Sequence, residues 1–391
     1  MIHWTRRLKM NIEYVGKNLR RQMKNKGKTI QEVAQAIGIS KVALSNILTG
    51  KSVPKSGTVI KLASYLKVSI NTLLITPILL HSVRFRTAKT LSPREKAAKE
   101  QILLEVPVWL KNYKELEKLL GKPSRPSLPD VKDLTAMEAA QIVRAIAHIK
   151  DEDPVCNLVG MVSQLGVKLW LHDFKMKRVF GLSVGIPDDG PAIIVNDNAE
   201  ISIERKIFTI AHELGHLLFH IDSFSSAQEY LEENDEEESQ ANAFAGVLLL
   251  PPSALKKQWE LYKGIPFIDR VLAIKHVYKV SYKTVLYALI RDGFHKGESS
   301  QLYVAFAQGY KDKYGHDLKN HYEPSEGQSL VASIDPEPLQ RYDLLSTEYQ
   351  GLVRDAYEKE YISITKAAEM LSLDLAAMRK LHSSWEFEAD E

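Results

Sequence analysis

Two histidines and a glutamate in one short run carry the clearest chemical signal in the chain: His212, Glu213 and His216. If this run is helical, the histidines lie one turn apart, with about 5–6 Å between their Cβ atoms, so both imidazoles can bind one metal ion. Glu213 lies beside them, where it can take a proton from a water molecule bound to that ion. The spacing predicts a zinc site for metal-assisted hydrolysis, with His212 and His216 as ligands and Glu213 as the general base.

The helix that must position these side chains is predicted over residues 202–221, with Ser202 as its N-cap. At about 100° per residue, its large apolar residues cluster within about 40° of one direction, and the two histidines lie about 140–180° away from it. The apolar residues are Ile203, Ile207, Ile210, Leu214, Leu217 and Ile221. We therefore expect the apolar face to pack into a core and the metal-binding face to stay open to a substrate.

A catalytic zinc ion takes three protein ligands and keeps one position open, so a third ligand must come from elsewhere in the chain. Asp222 follows the second histidine closely, but a ligand at that spacing needs a glycine-dependent bend where this chain has Phe219, so we set it aside. Glu238 begins a second predicted helix, residues 238–251, in which small residues such as Ala241 allow a close approach to the first helix. Glu238 is the predicted third ligand, and two imidazoles with one carboxylate suit zinc better than manganese or iron(II).

The two helical segments together resemble the ImmA/IrrE family of metallopeptidases. The resemblance rests on Phe208–His220 and Glu238–Pro252, and it extends over residues 130–295 of the chain. It implies a zincin fold of the gluzincin type, in which one zinc ion per chain is held by the two histidines and Glu238. It also implies zinc endopeptidase activity, and members of this family are associated with cleavage of helix-turn-helix repressors.

Three further residues are candidates for roles around the metal. Asn242 lies one turn into the second helix and could hold the second nitrogen of a histidine. His220 and Arg205 share the face of the predicted ligands and could stabilise an oxyanion or a substrate carbonyl. The strand predicted at Ala192–Asn196 could pair with an extended peptide substrate. Seven acidic residues between 229 and 238 are interpreted as a solvated run, in which only the third ligand has a role.

Positive charge is concentrated in the first 90 residues. That segment contains 17 lysines and arginines against two acidic residues, Glu13 and Glu32, whereas residues 91–391 contain 35 against 47. The formal charge is therefore about +15 on the first part and about −12 on the rest. A basic part joined to an acidic body is typical of a protein with a nucleic-acid-binding domain.

The basic part is predicted to fold as short helices over residues 12–26, 29–37, 40–48 and 58–66. Gly38 supplies a stop for the second helix and Ser40 an N-cap for the third, which sets the two helices at a steep angle. The run Thr29–Lys51 resembles the XRE (Cro/repressor-like) helix-turn-helix family, with core positions at Val33, Ala34, Ile37, Leu44 and Ile47. The resemblance implies a domain that docks in the major groove of double-stranded DNA.

By that resemblance, the helix after the turn presents Lys41, Val42 and Asn46 to base edges, next to the cap residue Ser40. Lys41 could bond guanine acceptors, and Asn46 could bond adenine. The surrounding cations are expected to contact phosphates and to make binding salt-dependent. They are Arg20, Arg21, Lys24, Lys51 and Lys55. Because such domains usually read two half-sites of an operator, a homodimer is expected.

The order of these signals predicts a multidomain chain: an all-α helix-turn-helix domain, an α+β zincin-like domain with a small sheet, and a mainly helical C-terminal region. The predicted boundaries are 1–78 for the first domain, 131–295 for the zincin-like domain and 296–391 for the C-terminal region. Residues 79–130 are predicted to form a helical connector and a proline-rich linker.

Strands of the small sheet are expected at 167–171, 179–184 and 192–195, after a helix at 135–149. In the C-terminal region, residues 300–391 contain 17 acidic residues against nine basic ones, so a second DNA site is not expected there. We interpret that region as a packing or regulatory module.

Composition limits the compartment, and two functions fit the motifs. No signal peptide and no membrane span are predicted, and the single cysteine, Cys156, fits a reducing compartment, so we expect the cytoplasm.

The first function is a DNA-binding transcriptional regulator that cleaves a helix-turn-helix repressor or a similar protein. The alternative is a repressor or antitoxin-like regulator whose zincin domain senses a metal or ligand and cuts nothing. Glu213 favours the first, because a purely structural metal site needs no general base.

Overall fold

The structure of the chain is a computed structural model that describes residues 14–24, 26–68, 70–74, 80–87, 92–220, 222, 235–315, 317–318, 339, 344 and 346–386. The chain divides into two compact units. The first unit takes its residues from Met1–Leu79 and Leu91–Glu105, and the second from Leu80–Thr90 and Val106–Glu391. No helix among the described residues combines the length and the apolar composition needed to cross a membrane.

The first unit is built from helices, as the sequence predicts. They are α1 over residues 14–24, α2 at Ile30–Ile37, α3 at Lys41–Leu48, α4 at Ser56–Leu66 and α5 at Ile70–Leu74. Gly38 ends α2 in the left-handed region, with φ 75° and ψ 38°, and the Ser40 hydroxyl accepts a hydrogen bond from the Ala43 N–H at 3.1 Å. These caps confirm the predicted turn. The predicted start of the first helix at residue 12 lies outside the described residues.

The core of the first unit also agrees with the prediction. Val33, Ala34, Ile37, Leu44 and Ile47 are all buried, and they belong to one hydrophobic cluster. The close crossing of α1 and α3 is not evident from the sequence pattern. A Cβ atom on Gly16 would lie 2.4 Å from the Ile47 carbonyl oxygen, so only glycine allows α1 to pass the end of α3 at this distance.

A four-stranded mixed sheet forms the β part of the second unit. Its strands are β1 at Val83–Thr87, β2 at Lys168–His172, β3 at Val179–Val184 and β4 at Ala192–Asn196. The order across the sheet is β1-β3-β4-β2, and only the β2–β4 pair is parallel. The three predicted strands are confirmed, and β1 is an addition. The prediction that Ala192–Asn196 pairs with a substrate is wrong, because β3 and β2 occupy both edges of β4.

Helices surround this sheet and continue to the end of the described chain. They are α6 at Pro93–Leu120, α7 at Ala136–Ile146, α8 at Leu158–Gln164, α9 at Ile203–Phe219, α10 at Asp235–Leu249, α11 at Pro252–Leu261, α12 at Phe267–Tyr278, α13 at Tyr282–Arg291, α14 at Ser299–Tyr314, α15 at Glu348–Glu358, α16 at Ile364–Met370 and α17 at Leu375–Glu386. The first residues of α6 belong to the first unit and the rest to the second. Leu302, Phe306 and Tyr310 of α14 share the hydrophobic core of the zincin-like part, so that core extends beyond residue 295.

The helix α9 lies between the sheet and α10. Its apolar residues Ile207, Ile210, Leu214 and Leu217 are buried in the main core, and Ser202 caps its first turn by accepting a hydrogen bond from the Arg205 N–H. The predicted core residue Ile221 lies outside the described residues. A Cβ atom on Gly215 would lie 3.1 Å from Phe244 Cδ1 and 3.2 Å from Ala241 Cα. Small side chains therefore let α9 and α10 approach closely enough to share one site.

Buried charges hold the start of α9 and the end of α10. The Lys206 Nζ lies 2.7 Å from Asp197 Oδ1, and the Lys275 Nζ lies 2.5 Å from Glu204 Oε1, with all four side chains almost wholly buried. The Arg144 guanidinium is 1% exposed and donates hydrogen bonds to the carbonyl oxygens of Leu248, at 2.7 Å, and of Lys150, at 2.5 Å. Arg144 thus satisfies a carbonyl group in the last turn of α10.

Candidate metal centre and DNA-binding surface

Three side chains from α9 and α10 converge on one point. The Nε2 atoms of His212 and His216 lie 3.0 Å apart. The Glu238 carboxylate lies across from them, with Oε2 at 3.3 Å from His212 Nε2 and Oε1 at 3.0 Å from His216 Nε2. The structure therefore brings the three predicted ligands together, although 25 residues lie between His212 and Glu238 and 21 between His216 and Glu238 along the chain.

This donor set fits a zinc ion. In a tetrahedral site with bonds of about 2.0–2.1 Å, neighbouring ligand atoms are about 3.3 Å apart, close to the separations found here. Within the residues that the structure describes, His212, His216 and Glu238 form the group suited to a metal. Asp222 is not part of it, because its carboxylate instead pairs with Lys132 Nζ at 2.6 Å.

The metal-binding face of α9 is buried, and the prediction of an open face is wrong in this respect. His212 is 0% exposed, Glu213 is 1% exposed and His216 is 2% exposed. The sheet and α10 cover this face: a Cβ atom on Gly181 of β3 would lie 2.6 Å from Thr209 Cγ2 and 3.6 Å from Glu213 Cγ. Helical periodicity identifies an apolar face, but it cannot show that a second element covers the polar one.

Hydrogen bonds orient both histidine ligands. His212 Nδ1 lies 3.0 Å from Asn242 Oδ1, which can only accept, so the Nδ1–H donates and leaves Nε2 free to bind a metal. On the other side, His216 Nδ1 lies 3.1 Å from His220 Nδ1, and His220 Nε2 lies 3.1 Å from Gln240 Oε1. In this row of two hydrogen bonds, the protons can be placed so that His216 donates to His220 and His220 donates to Gln240. No sequence signal identifies Gln240, since only the folded helix pair brings it to His220.

Burial and neighbouring charges set the ionisation of the surrounding groups. Burial, together with the charges of His216 and Arg84, lowers the pKa of His220 to about 4, so His220 is neutral near pH 7. Burial alone would raise the pKa of Glu238, but its close contacts with His212 and His216 hold that pKa well below its ordinary value. Glu238 is therefore an anionic ligand, the form that binds a cation.

Arg205 lies at the start of α9, on the side of β3. Its guanidinium carbon lies 4.2 Å from the centroid of the Phe180 ring. The side chain is exposed, unlike the ligands further along the helix. A role for Arg205 at an oxyanion stays a prediction.

The predicted DNA-reading residues lie at the start of α3. Lys41 and Val42 are exposed, Val42 to 68%, while Asn46 is half-buried. Ser40 is occupied as the N-cap of α3. An exposed cation and an exposed apolar side chain at a helix N-terminus suit guanine acceptors and a thymine methyl group, respectively.

Four of the five predicted phosphate contacts are exposed, and the fifth is not. The exposed side chains are Arg20, Lys24, Lys51 and Lys55. Arg21 is half-buried and donates a hydrogen bond to Asn18 Oδ1 at 3.2 Å. Burial lowers its pKa, and attraction to Glu100 and Glu105 opposes this effect. A phosphate contact of Arg21 stays a prediction, and its partial burial makes it the least accessible of the five.

Comparisons with known proteins agree with the two motifs. Residues 162–289 match the family model described as Peptidase_M78, IrrE N-terminal-like domain, and residues 19–73 match the model HTH_3, helix-turn-helix. The site and the two matches together define the class of this protein: a helix-turn-helix domain joined to a zincin-like domain. Residues 162–289 are thus similar to the IrrE N-terminal-like domain, and residues 19–73 to the helix-turn-helix domain.

The other comparisons add no argument about function. No curated protein matches this chain. One solved structure, the crystal structure of Bacillus thuringiensis PlcR in complex with the peptide PapR7 and DNA, is 13% identical and covers 78% of this chain and 96% of its own. Its TM-score is 0.17, which is too low to support a conclusion about fold.

Proposed function

We propose that this protein is a DNA-binding transcriptional regulator whose second unit is a zinc-dependent endopeptidase. The observation that carries the proposal is the convergence of His212, His216 and Glu238 within 3.3 Å of one another, beside the buried carboxylate of Glu213. Bound zinc would supply a Lewis acid that polarises a peptide carbonyl and lowers the pKa of water. The family match at residues 162–289 supports the same class of reaction.

The residues of the chain have distinct tasks in this proposal. His212, His216 and Glu238 hold the ion, and Asn242 and His220 keep the two imidazoles in the tautomer that offers Nε2. Glu213 accepts the proton of the attacking water at its carboxylate and delivers it to the leaving amide nitrogen. His212, Glu213 and His216 are at most 2% exposed, so their charges act in a medium of low dielectric constant.

Metal removal tests the proposal directly. We expect one zinc ion per chain and a discrete cut in a helix-turn-helix repressor, lost after chelation and restored by added zinc. The matched control is the same repressor with zinc and no protein. A protein that binds zinc and DNA but cuts no repressor, loaded or stripped, would contradict the peptidase function.

That outcome would favour the second candidate, a regulator whose zincin domain senses a metal. One observation supports this candidate: the ligands and Glu213 are at most 2% exposed, apart from Glu238 with 22% of its side chain exposed, so the described site is largely closed. A sensor is expected to change its DNA affinity when zinc is added, whereas a peptidase acts through cleavage of its substrate.

We further propose that the first unit binds operator DNA as a homodimer in the cytoplasm. The match of residues 19–73 to the helix-turn-helix model and the exposed basic residues around α3 support DNA binding. We infer the dimer because such domains usually bind two half-sites of an operator. Sedimentation of the free protein and of its complex with DNA tests this stoichiometry.

Two lysine substitutions separate base reading from phosphate contact. Lys41→Ala is expected to weaken binding to the operator by about 1–3 kcal/mol and to relax the preference for one base, because a base contact is lost. Lys55→Ala is expected to weaken binding equally on all sequences and to reduce the salt slope by about one. Titrations on operator and scrambled DNA at several salt concentrations measure both effects. A Lys41→Ala variant with unchanged sequence preference would refute the assignment of α3 as the recognition helix.

A further inference from the structure

The edge strand β1 comes from outside the segment that matches the IrrE-like family. That segment, residues 162–289, contains β2, β3 and β4, whereas β1 is formed by Val83–Thr87, upstream of α6. Without β1, the outer edge of β3 would present unpaired backbone groups. The chain therefore covers this edge with a segment that directly follows the first unit.

The covered edge lies beside the candidate metal centre. In the β1–β3 ladder, Arg86 pairs with Gly181, and Gly181 is the residue whose Cβ would lie 3.6 Å from Glu213 Cγ. The opposite edge of the sheet belongs to β2, which is separated from β3 by β4. An extended chain on the β3 edge thus passes the proposed general base, and one on the β2 edge does not.

A second contact joins β1 to the metal-binding helix α10. The Arg84 guanidinium is 5% exposed and lies 2.5 Å from the carboxylate of Glu237. Glu237 directly precedes the ligand Glu238. The strand β1 therefore contacts both elements that frame the centre: β3 through its backbone and α10 through an arginine.

The start of β1 is held by the zincin-like domain as well. Asp188 Oδ2 accepts hydrogen bonds from the backbone N–H groups of His81, at 2.8 Å, and Ser82, at 2.6 Å. The Gly185 N–H donates to the Ser82 carbonyl oxygen at 3.0 Å. Two carboxylates within residues 162–289, those of Asp188 and Glu237, thus act as fixed contacts for an incoming strand.

We propose that the β3 edge is the binding surface for an extended peptide and that β1 occupies it in cis, with Glu237 selecting an arginine in the peptide. This proposal rests on the proposed peptidase function, whose substrate class it names. Peptides commonly bind by adding a strand to an exposed sheet edge, through backbone hydrogen bonds. Because β1 is part of the same chain, its effective concentration at the β3 edge is high. A separate peptide can therefore bind this edge only after β1 has dissociated from it.

Binding of a labelled peptide with the sequence of residues 80–87 tests the proposal. The full-length protein is used without metal and with Glu213→Gln, so that no cleavage is needed. Combining Arg84→Ala with Ser82→Pro removes an ion pair and a donor from the tethered segment and leaves the edge itself unchanged. This double variant should raise the peptide affinity by about tenfold or more, because a larger fraction of the edge is free. Lys257→Ala, which removes the surface pair with Glu152, is the matched control and should bind like the parent.

Backbone hydrogen exchange of the same proteins shows whether β1 opens separately from the rest of the sheet. We expect β1 amides of the parent to exchange by local opening, faster than β4 amides, and faster again in the double variant. If β1 exchanges only together with β4, the strand is a permanent part of the sheet and the proposal is overturned. Equal peptide affinity in the double variant and in Lys257→Ala, with β4 still protected, overturns it too. Peptide binding without cleavage by the zinc-loaded parent would reject only the peptidase function.

Discussion

Replacing Glu213 with glutamine is expected to lower peptide hydrolysis by about 10²- to 10⁴-fold while one zinc ion per chain still binds. Glutamine keeps the shape of the side chain but cannot accept a proton. Glu213 is not a ligand, since the convergent donors are the two histidines and Glu238. Rates of repressor cleavage, together with metal content, measure the two effects separately.

A surface carboxylate provides the control for this variant. Glu200→Gln removes a charge just before α9, in an exposed ion pair with Lys177, and should leave both cleavage and zinc content unchanged. If Glu213→Gln cleaves as fast as the parent, Glu213 is not the general base. If it loses the metal, Glu213 supports the site rather than the proton transfer.

Replacing Lys206 with methionine is expected to destabilise the second unit by about 3–5 kcal/mol, the largest stability effect that we foresee. The Lys206–Asp197 pair is buried at both ends, and the substitution leaves the Asp197 carboxylate in the interior without its cation. Unfolding in urea, followed by tryptophan fluorescence, reports mainly on this unit. Four of the five tryptophans belong to it: Trp109, Trp170, Trp259 and Trp385.

Two further variants show whether the buried charge is the cause. Lys177→Met breaks an exposed pair and should cost only about 0–1 kcal/mol. Adding Asp197→Asn to Lys206→Met should recover part of the loss, because no unpaired charge then stays buried. If Lys206→Met and Lys177→Met lower the free energy of unfolding equally, the buried pair contributes no more to stability than the exposed one.

The features that the sequence predicted correctly are local ones. The caps Gly38 and Ser40 define the turn between α2 and α3, and helical spacing alone identifies His212 and His216 as neighbours. Glu238 required one long-range step, which small residues in the second helix and the family resemblance supplied. The family models confirm both domains.

The features that the sequence analysis missed depend on contacts between distant segments. The strand β1 lies within residues 79–130, for which the sequence predicts a helical connector and a linker, although the alternation of Val83, Arg84, Phe85 and Arg86 is a usable strand signal. Interior placement of β4 could not be read from its own residues, because strand order is a property of the whole sheet. The partial burial of Arg21 has the same origin, since Glu100 and Glu105, whose charges act on its pKa, belong to a later helix.

The close crossing of α9 and α10 also restricts how this sequence can change over evolutionary time. At Gly215 the facing atoms are Ala241 Cα at 3.2 Å and Phe244 Cδ1 at 3.1 Å, so a methyl group there has no room unless a neighbour moves or shrinks. Homologues that carry alanine at position 215 should therefore have exchanged a partner at 241 or 244 as well. Among natural relatives, these positions should covary, while the ligands that they bring together stay constant.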